Sequence, residues 1–413
     1  MRTIDGDQHA QAGERSCDWR TALSNGERAV RRFGWTAELD PLGDDPALWR
    51  CVLHDRNGEP VPSGAGSGKG YRLPAQVGAI FEALEHHFGR EQHKTPDIVL
   101  RPAREAATEL TGDVVGARLA EGPDEPIACL PFRNLSDDAA TLLPAFLTSP
   151  DYVSDAFEPE RRELGDTYDY AGVLRYSLNS GCAAGSTREE ATVHAINEIV
   201  ERDAFSLMLI NTFLAASSAP LTVVDPATLP DNLAELHGIA QQRSGGSVQL
   251  IDMTTSLGIP AVLAYLPPQP GEPARVRGAG ASLSREHAIR RALTELLQLM
   301  AGSTQRGDED EERDWTAEYP PFHDCYLMNL GPKLLEAEVV AYAPTAAPGS
   351  PGGHLERLVR ILTSHGFTPL VRELHTSAEL TVVSTVVPGL ERFMVITDGQ
   401  LVVPGPRGLA AQP

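Results

Sequence analysis

The sequence predicts a mixed α/β (α+β) protein in which amphipathic helices pack on mixed β-sheets. Residues 74–89, 187–202 and 284–302 each place apolar side chains at helical spacing. Between them lie short runs rich in β-branched and aliphatic residues, among them 98–101, 126–132, 248–255 and 259–268. An Asn57-Gly58 pair between two further runs marks a hairpin turn. A chain of 413 residues, 41% hydrophobic and 22% charged, can bury a large core and on length alone divides into roughly two to three domains. The expected boundaries are a polar tail with a small α/β segment over 1–62, a core over 63–342, and a helix–strand–strand unit with an extended proline-containing tail over 343–413 that belongs with the core.

Taken in order, residues 1 to about 20 read as a polar, frayed tail with no apolar core segment, so neither a signal peptide nor a membrane anchor is expected there. A helix over 22–34 and strands over 36–42 and 48–55 follow. The glycine-rich stretch Gly64–Gly70 resembles a phosphate-binding loop, but Ser63 stands where the first glycine belongs and Gly70 where a Mg²⁺-holding hydroxyl would be. It is read as a loop that places Lys69 and backbone N–H groups near an anion. The helix over 74–89 buries Val77, Ile80, Phe81, Leu84 and Phe88, sets Glu82 and Glu85 together off that arc, and leaves His86 and His87 at the rim. Strands at 98–101 and 126–132, a helix over 106–120 and a long polar stretch over 147–170, lying on the surface, come next.

Small residues at 179–186 form a loop that runs into the central helix, where Thr187 and Glu190 have capping-box spacing. Glu190, Asn197, Glu198 and Glu201 share one stripe with His194, and Ala191, Val193, Ala195, Ile196, Ile199 and Val200 line the buried side. The helix continues as an apolar core segment through 203–216. A surface helix over 226–243, strands over 248–255, 259–268 and 275–283, and a helix over 284–302 follow. The last of these buries Ile289, Ala292, Leu293, Leu296, Leu297 and Met300 and sets Arg291, Glu295 and Gln298 on the opposite stripe. Residues 307–312 are an acidic, solvated loop, 344–353 a linker, 354–388 an αββ unit and 402–413 an extended tail. No internal repeat is evident. The five cysteines are far apart, without zinc spacing, and read as free thiols, with Cys182 a small buried residue.

A formal net charge of −22 argues against a nucleic-acid surface, and no apolar run approaches the roughly 18 residues of a membrane span, so a cytoplasmic protein is expected. Acids crowd the polar edges of three helices with few lysines alongside. Side-by-side carboxylates repel and lose solvation, and a divalent cation that keeps several waters, such as Mg²⁺, relieves both. On spacing alone the competing reading is a cap at Glu190 and a solvated face for the rest. If the helices meet, their carboxylates with Lys69, Arg202 and Arg291 form a nucleoside triphosphate site. No Ser/His/Asp triad, dinucleotide fingerprint or kinase signature competes.

The stretches GSGKGYRLPAQVGAIFEALEHH, NSGCAAGSTREEATVHAINEIVERDA, REHAIRRALTELLQ and VVPGLER resemble the motif series of the YcaO superfamily, from about Gly64 to Arg392. The resemblance implies a YcaO-like fold with an ATP/Mg²⁺ site, and an enzyme that phosphorylates backbone amide oxygens of a ribosomally made precursor peptide. In ring-forming members a Cys, Ser or Thr of the substrate closes a thiazoline or oxazoline; relatives make thioamides or amidines, and a non-catalytic scaffold is a further reading. By motif position, Glu82, Glu85, Glu198, Glu201 and Glu295 match metal and nucleotide ligands. Ser186, Glu190, Arg202 and Arg291 fall near the nucleotide, with Lys69 a looser match. Gly78, His86, Ala183 and Ser186 depart from the usual Ser, Arg, Ser and Asn. Implied partners are the precursor peptide, a leader-binding protein, and a second family member or a second copy of the chain. The tail begins a Pro-x-Pro pattern at Pro404 and Pro406 and breaks it at Arg407.

Overall fold

A computed structural model describes residues 13–216, 219–268, 276–303 and 318–410; the acidic stretch at 307–312 lies outside them. In chain order the elements are α1 (Trp19–Arg32), β1 (Thr36–Leu42), β2 (Ala47–His54), β3 (Pro60–Gly70), α2 (Arg72–Glu91), β4 (Val99–Pro102), α3 (Ala103–Thr108), α4 (Val114–Glu121), β5 (Pro126–Asn134), β6 (Ala140–Pro144), α5 (Glu158–Leu164), β7 (Cys182–Gly185) and α6 (Arg188–Leu209). They continue with β8 (Thr222–Val224), α7 (Asp231–Ser244), β9 (Gln249–Asp252), β10 (Ala261–Tyr265), β11 (Arg277–Ala281), α8 (Arg285–Ser303), α9 (Pro320–Leu327), α10 (Gly331–Leu334), β12 (Glu338–Val340), α11 (Pro351–Ser364), β13 (Leu370–Thr376), β14 (Thr381–Val386) and α12 (Pro406–Ala410). No described helix is long and apolar enough to cross a membrane.

The chain forms two compact units. The first takes residues up to Pro41, Trp49–Ile199 and Pro348–Leu390, and the second Leu42–Leu48, Val200–Ala347 and the residues from Glu391 onward. The first unit holds a three-stranded sheet, β1-β2-β3, and a sheet in the order β4-β5-β13-β14-β7 with β6 paired to β5. The hairpin expected at Asn57-Gly58 joins β2 to β3, with Gly58 at φ +82°. The αββ unit expected near the C-terminus is α11, β13 and β14, and its two strands lie inside the larger sheet. Beneath that sheet, Ala183, Ala191, Ala195, Val371 and Val383 close a small-residue core that seats the start of α6.

Several local expectations change in this unit. The glycine stretch 64–70 is not a loop but the second half of β3. The small-residue stretch likewise contains a strand, β7, fully buried and paired antiparallel to β14 with Ala183 opposite Val383. The helix expected over 106–120 is two helices, because Gly112 turns left-handed at φ +79° and Asp113 caps α4 by accepting from the Val115 N–H at 2.9 Å. The polar stretch 147–170 does not simply lie on the surface. The hydroxyls of Tyr152 and Tyr170 each donate to Asp166 Oδ2 at 2.6 Å, in the interior, so polar sequence is satisfied inside.

The second unit carries the sheet β11-β10-β9-β8-β12, antiparallel except for the β8–β12 pair. Its core joins Leu233, Leu236 and Ala240 of α7 to Leu250, Val262 and Ala264 of the strands and to Ile289, Leu293 and Leu296 of α8. α7 therefore starts later than expected, at Asp231, and buries one side. After Leu209 the central helix widens into a π turn over Ile210–Leu214. The tail expected to be extended forms α12 over 406–410.

Candidate nucleotide and metal site

Three strand-to-helix steps position the motif residues, and in each a glycine lets the strand backbone rest directly on the helix. In the first unit, a Cβ on Gly68 would lie 1.8 Å from the Ala75 carbonyl oxygen, and one on Gly66 2.3 Å from the Ala83 nitrogen. The contact at Gly66 falls on the turn that carries Glu82. Gly78 faces the Cα of Gly68, 3.3 Å from where its own Cβ would be, so that departure from the usual serine sits at the closest crossing of β3 and α2. His86, which stands where an arginine is usual, meets the Ala65 carbonyl with Nδ1 at 2.7 Å and has Nε2 3.7 Å from Glu82. His87 Nδ1 meets the Pro62 carbonyl at 3.0 Å, so both histidines tie α2 to β3.

Glu82, Glu85 and Glu198 are brought together here, with Lys69 beside them. Burial raises the Glu82 carboxyl above the ordinary range and the charge of Glu198 raises it further, while His86 and Lys69 oppose that shift. Glu85 Oε2 accepts from the Ala184 N–H at 3.2 Å, which joins α2 to β7. Cys182 lies between these acids: burial first, then Glu85 and Glu198, hold its thiol well above its ordinary value, and it donates to the Glu85 carbonyl at 3.8 Å. A thiol held protonated in this way is inert.

The second step is β7 into α6, where a Cβ on Gly185 would lie 2.7 Å from the Ala191 nitrogen. Half of the expected capping box forms, since Thr187 Oγ1 accepts from the Glu190 N–H at 3.3 Å. The Glu190 carboxylate turns elsewhere. Oε1 takes Arg15 Nη1 at 3.0 Å, and Oε2 takes the Ser16 N–H at 3.0 Å and its hydroxyl at 2.6 Å. Ser186 Oγ accepts from Asn25 Nδ2 at 3.3 Å and faces Cys17 Sγ at 3.7 Å. Asn197 Nδ2 donates to Glu14 Oε1 at 3.2 Å. Residues 14–17, expected to be frayed, are laid along the polar face of α6. Sequence reading missed Arg15, Ser16 and Asn25, and no local pattern marks them, because their partners lie more than 160 positions away.

In the second unit α6 carries Glu201, buried, and Arg202. The third step is β11 into α8: a Cβ on Gly278 would lie 2.2 Å from the Ala292 carbonyl oxygen and 2.8 Å from the Glu295 carbonyl carbon, and one on Gly280 2.8 Å from Arg291 Cβ. Strand glycines therefore seat the turns bearing Glu295 and Arg291 as they seat Glu82. This recurrence of glycine strand and acid-bearing helix is structural only; the sequence shows no repeat.

The donor set is chemically suited to a hard divalent cation, which would hold Glu82 and its neighbours ionised. Among the described residues no three His, Cys, Asp or Glu side chains converge as a ready metal cage. Mg²⁺ does not require one, since it binds through one or two carboxylates and completes its shell with water and phosphate oxygens.

The comparisons agree with this chemistry. An uncharacterized protein from Methanothermobacter thermautotrophicus is 28% identical over 226 residues, 53% of this chain and 57% of that protein. Another, named for the tfuA 3' region of Rhizobium leguminosarum bv. trifolii, is 36% identical over 90 residues, 22% of this chain and 21% of that one. The matched parts thus span less than two thirds of either relative. Among solved structures, a heterocyclase in complex with substrate and cofactor aligns at TM-score 0.65 and 21% identity, over 96% of this chain and 57% of that one. YcaO from Methanopyrus kandleri bound with AMPPCP and Mg²⁺ aligns at 0.62 and 21% identity, over 96% and 97%. The E. coli microcin synthetase McbBCD complex with pro-MccB17 bound gives 0.53 and 16%, over 86% and 88%. These likenesses show the fold. The family described as YcaO cyclodehydratase, ATP- and Mg²⁺-binding, matches residues 67–391, most of the chain, and this protein belongs to that YcaO family.

Proposed function

We propose that the protein is an ATP-dependent cyclodehydratase that forms thiazoline or oxazoline rings in a ribosomally made precursor peptide. Its family binds ATP and Mg²⁺ and activates backbone amides. The single observation that carries the reading to this chain is the proximity of Glu82 to Glu198 and Lys69, and of Cys182 to Glu85 and Glu198, felt in the electrostatics of both groups. On this reading Glu82, Glu85, Glu198, Glu201 and Glu295 are shared out as ligands of the Mg²⁺–nucleotide complex, and Lys69, Ser186, Glu190, Arg202 and Arg291 serve the nucleotide. Arg15 and Ser16 join them through Glu190.

Bound ATP supplies the phosphoryl group that turns an amide oxygen into a leaving group. The chain contributes orientation and charge, which is what phosphoryl transfer asks of a protein. The buried small-residue strand β7 brings its backbone against the carboxylates, with the Ala184 N–H on Glu85. Docking of the precursor's leader is assigned to a separate partner protein, with a second YcaO chain or a homodimer as a further assembly.

The test is reaction of a candidate Cys-, Ser- or Thr-containing precursor peptide with this protein, ATP and Mg²⁺, read by mass spectrometry. Loss of one water per modified residue, with fragmentation locating a ring at Cys, Ser or Thr, is expected. Exchange of oxygen for sulfur, or a ring closed by an amine, would replace the cyclodehydratase assignment by thioamide or amidine chemistry. Glu201→Gln should remove turnover and Mg²⁺-dependent ATP binding in calorimetry while the circular dichroism spectrum is kept. Wild-type ATP affinity in that variant would refute the site.

A further inference from the structure

Immediately after Glu201 and Arg202, α6 is gripped on a face turned about half a revolution from Glu201. Asp203, fully buried, accepts from Arg407 Nε at 2.7 Å and Arg407 Nη2 at 2.9 Å, one oxygen each, and from the Glu391 N–H at 2.9 Å. One turn on, Ser206 Oγ donates to the Arg202 carbonyl at 2.7 Å and accepts from the Met394 N–H at 2.9 Å. The Gly408 N–H donates to Glu391 Oε1 at 3.0 Å, and a Cβ there would lie 2.5 Å from Ile210 Cδ1. Asp203 and Ser206 of α6, with Ile210 of the π turn that continues it, are therefore clasped by residues 391–394 and 407–408 of the same unit.

We propose that Arg407 is a positioning residue: its fork on Asp203 sets the rotation of α6 about its own axis, and so the direction in which Glu201 and Arg202 are presented. The proposal rests on the assignment of Glu201 and Arg202 to Mg²⁺-ATP. A guanidinium that bonds both carboxylate oxygens fixes orientation as well as distance, which a lysine ammonium, a point charge, does not. The segment that begins a Pro-x-Pro pattern thereby acts on the nucleotide site through a buried ion pair on the far side of the helix. Arg407 itself touches neither metal nor nucleotide on this account. Truncating it would leave Asp203 buried with only the Glu391 N–H, and the end of α6 would be free to turn.

The experiment compares full-length wild type, Arg407→Lys, Arg407→Ala and Glu201→Gln by calorimetry with a non-hydrolysable ATP analogue and Mg²⁺, and by steady-state kinetics. Arg407→Lys keeps a cation beside Asp203 and the fold, and should weaken nucleotide binding by about tenfold while the KM for peptide stays within about twofold. Arg407→Ala should weaken it further, with partial recovery on adding guanidinium at low millimolar concentration. Wild-type nucleotide affinity in Arg407→Lys, while Glu201→Gln has lost it, overturns the proposal and leaves the site standing. Equal weakening for nucleotide and peptide also overturns it, since that is the mark of general loosening. If wild type and Glu201→Gln bind the nucleotide alike, the site assignment falls and the proposal with it.

Discussion

At the scale of single residues, the chain keeps its polar side chains inside by giving each one specific partners. Asp166 is the clearest case, with two tyrosine hydroxyls and the Ala128 N–H on the same oxygen. His93 is another. It is nearly fully buried, with Nδ1 2.8 Å from Ser149 Oγ and its ring edge-on to Phe157 at 4.4 Å. Burial, and secondarily the charge of Lys94, hold its imidazole below the ordinary value of 6.5. The folded protein thus keeps His93 neutral while the unfolded chain protonates it first as pH drops through about 6.5, so the stability it contributes at neutral pH is lost on acidification. His93→Gln should therefore cost more stability at pH 7.5 than at pH 5, read from urea midpoints at each pH. A cost that stays constant or grows toward pH 5 would show that the histidine is not held neutral. None of this was legible from sequence, where the stretch after 147 looks like solvated loop; the partners of Asp166 and His93 declare themselves only in three dimensions.

Among elements, the helices are legible in the sequence and the strands beside them are not. Apolar spacing located α2, α6 and α8 and their buried arcs, and with them Glu82, Glu85, Glu198, Glu201 and Glu295, because a 3.6-residue period is written in the chain itself. The strands β3 and β7 look like loops in the sequence because their glycines and alanines carry no strand propensity. The physical reason for those glycines is the helix that lies on them, which a period-two reading cannot see. This makes a sharp prediction. A Cβ at Gly68 would sit 1.8 Å from the Ala75 carbonyl oxygen and 2.5 Å from the Ala79 nitrogen, both backbone atoms that cannot move aside alone. Gly68→Ala should cost about 3 kcal/mol or more, measured by chemical denaturation. Gly172, with nothing within 4 Å of its would-be Cβ, should accept alanine at a cost of about 0.5 kcal/mol or less. Similar costs at the two positions would mean that β3 does not rest on α2 through this glycine.

For the molecule as a whole, charge is the feature that sequence alone expresses and structure then has to manage. Fifty-seven acidic against thirty-five basic residues leave −22, a field that repels free ATP and concentrates divalent cations. The fold meets this locally: Lys69 lowers the Glu82 carboxyl against its upward shift, and Arg15 pairs with Glu190. Such local cations temper single carboxylates and cannot by themselves offset a nucleoside triphosphate arriving at an acidic chain. The metal must then arrive with the nucleotide, and binding should appear as stabilisation only when both are present. Thermal unfolding with ATP analogue and Mg²⁺ in excess should show a rise of the order of 2.7 kcal/mol at a hundredfold excess over Kd, worth several degrees. The analogue with EDTA should leave the midpoint where the apoprotein has it, and Mg²⁺ alone should raise it less than the pair does. Raising salt should shrink the effect of Mg²⁺ alone more than that of the pair, because a screened field holds loose counterions poorly and a ligand bound in a desolvated site far better. A full shift in EDTA would instead show that side-chain cations hold the triphosphate and that the gathered glutamates serve some other end.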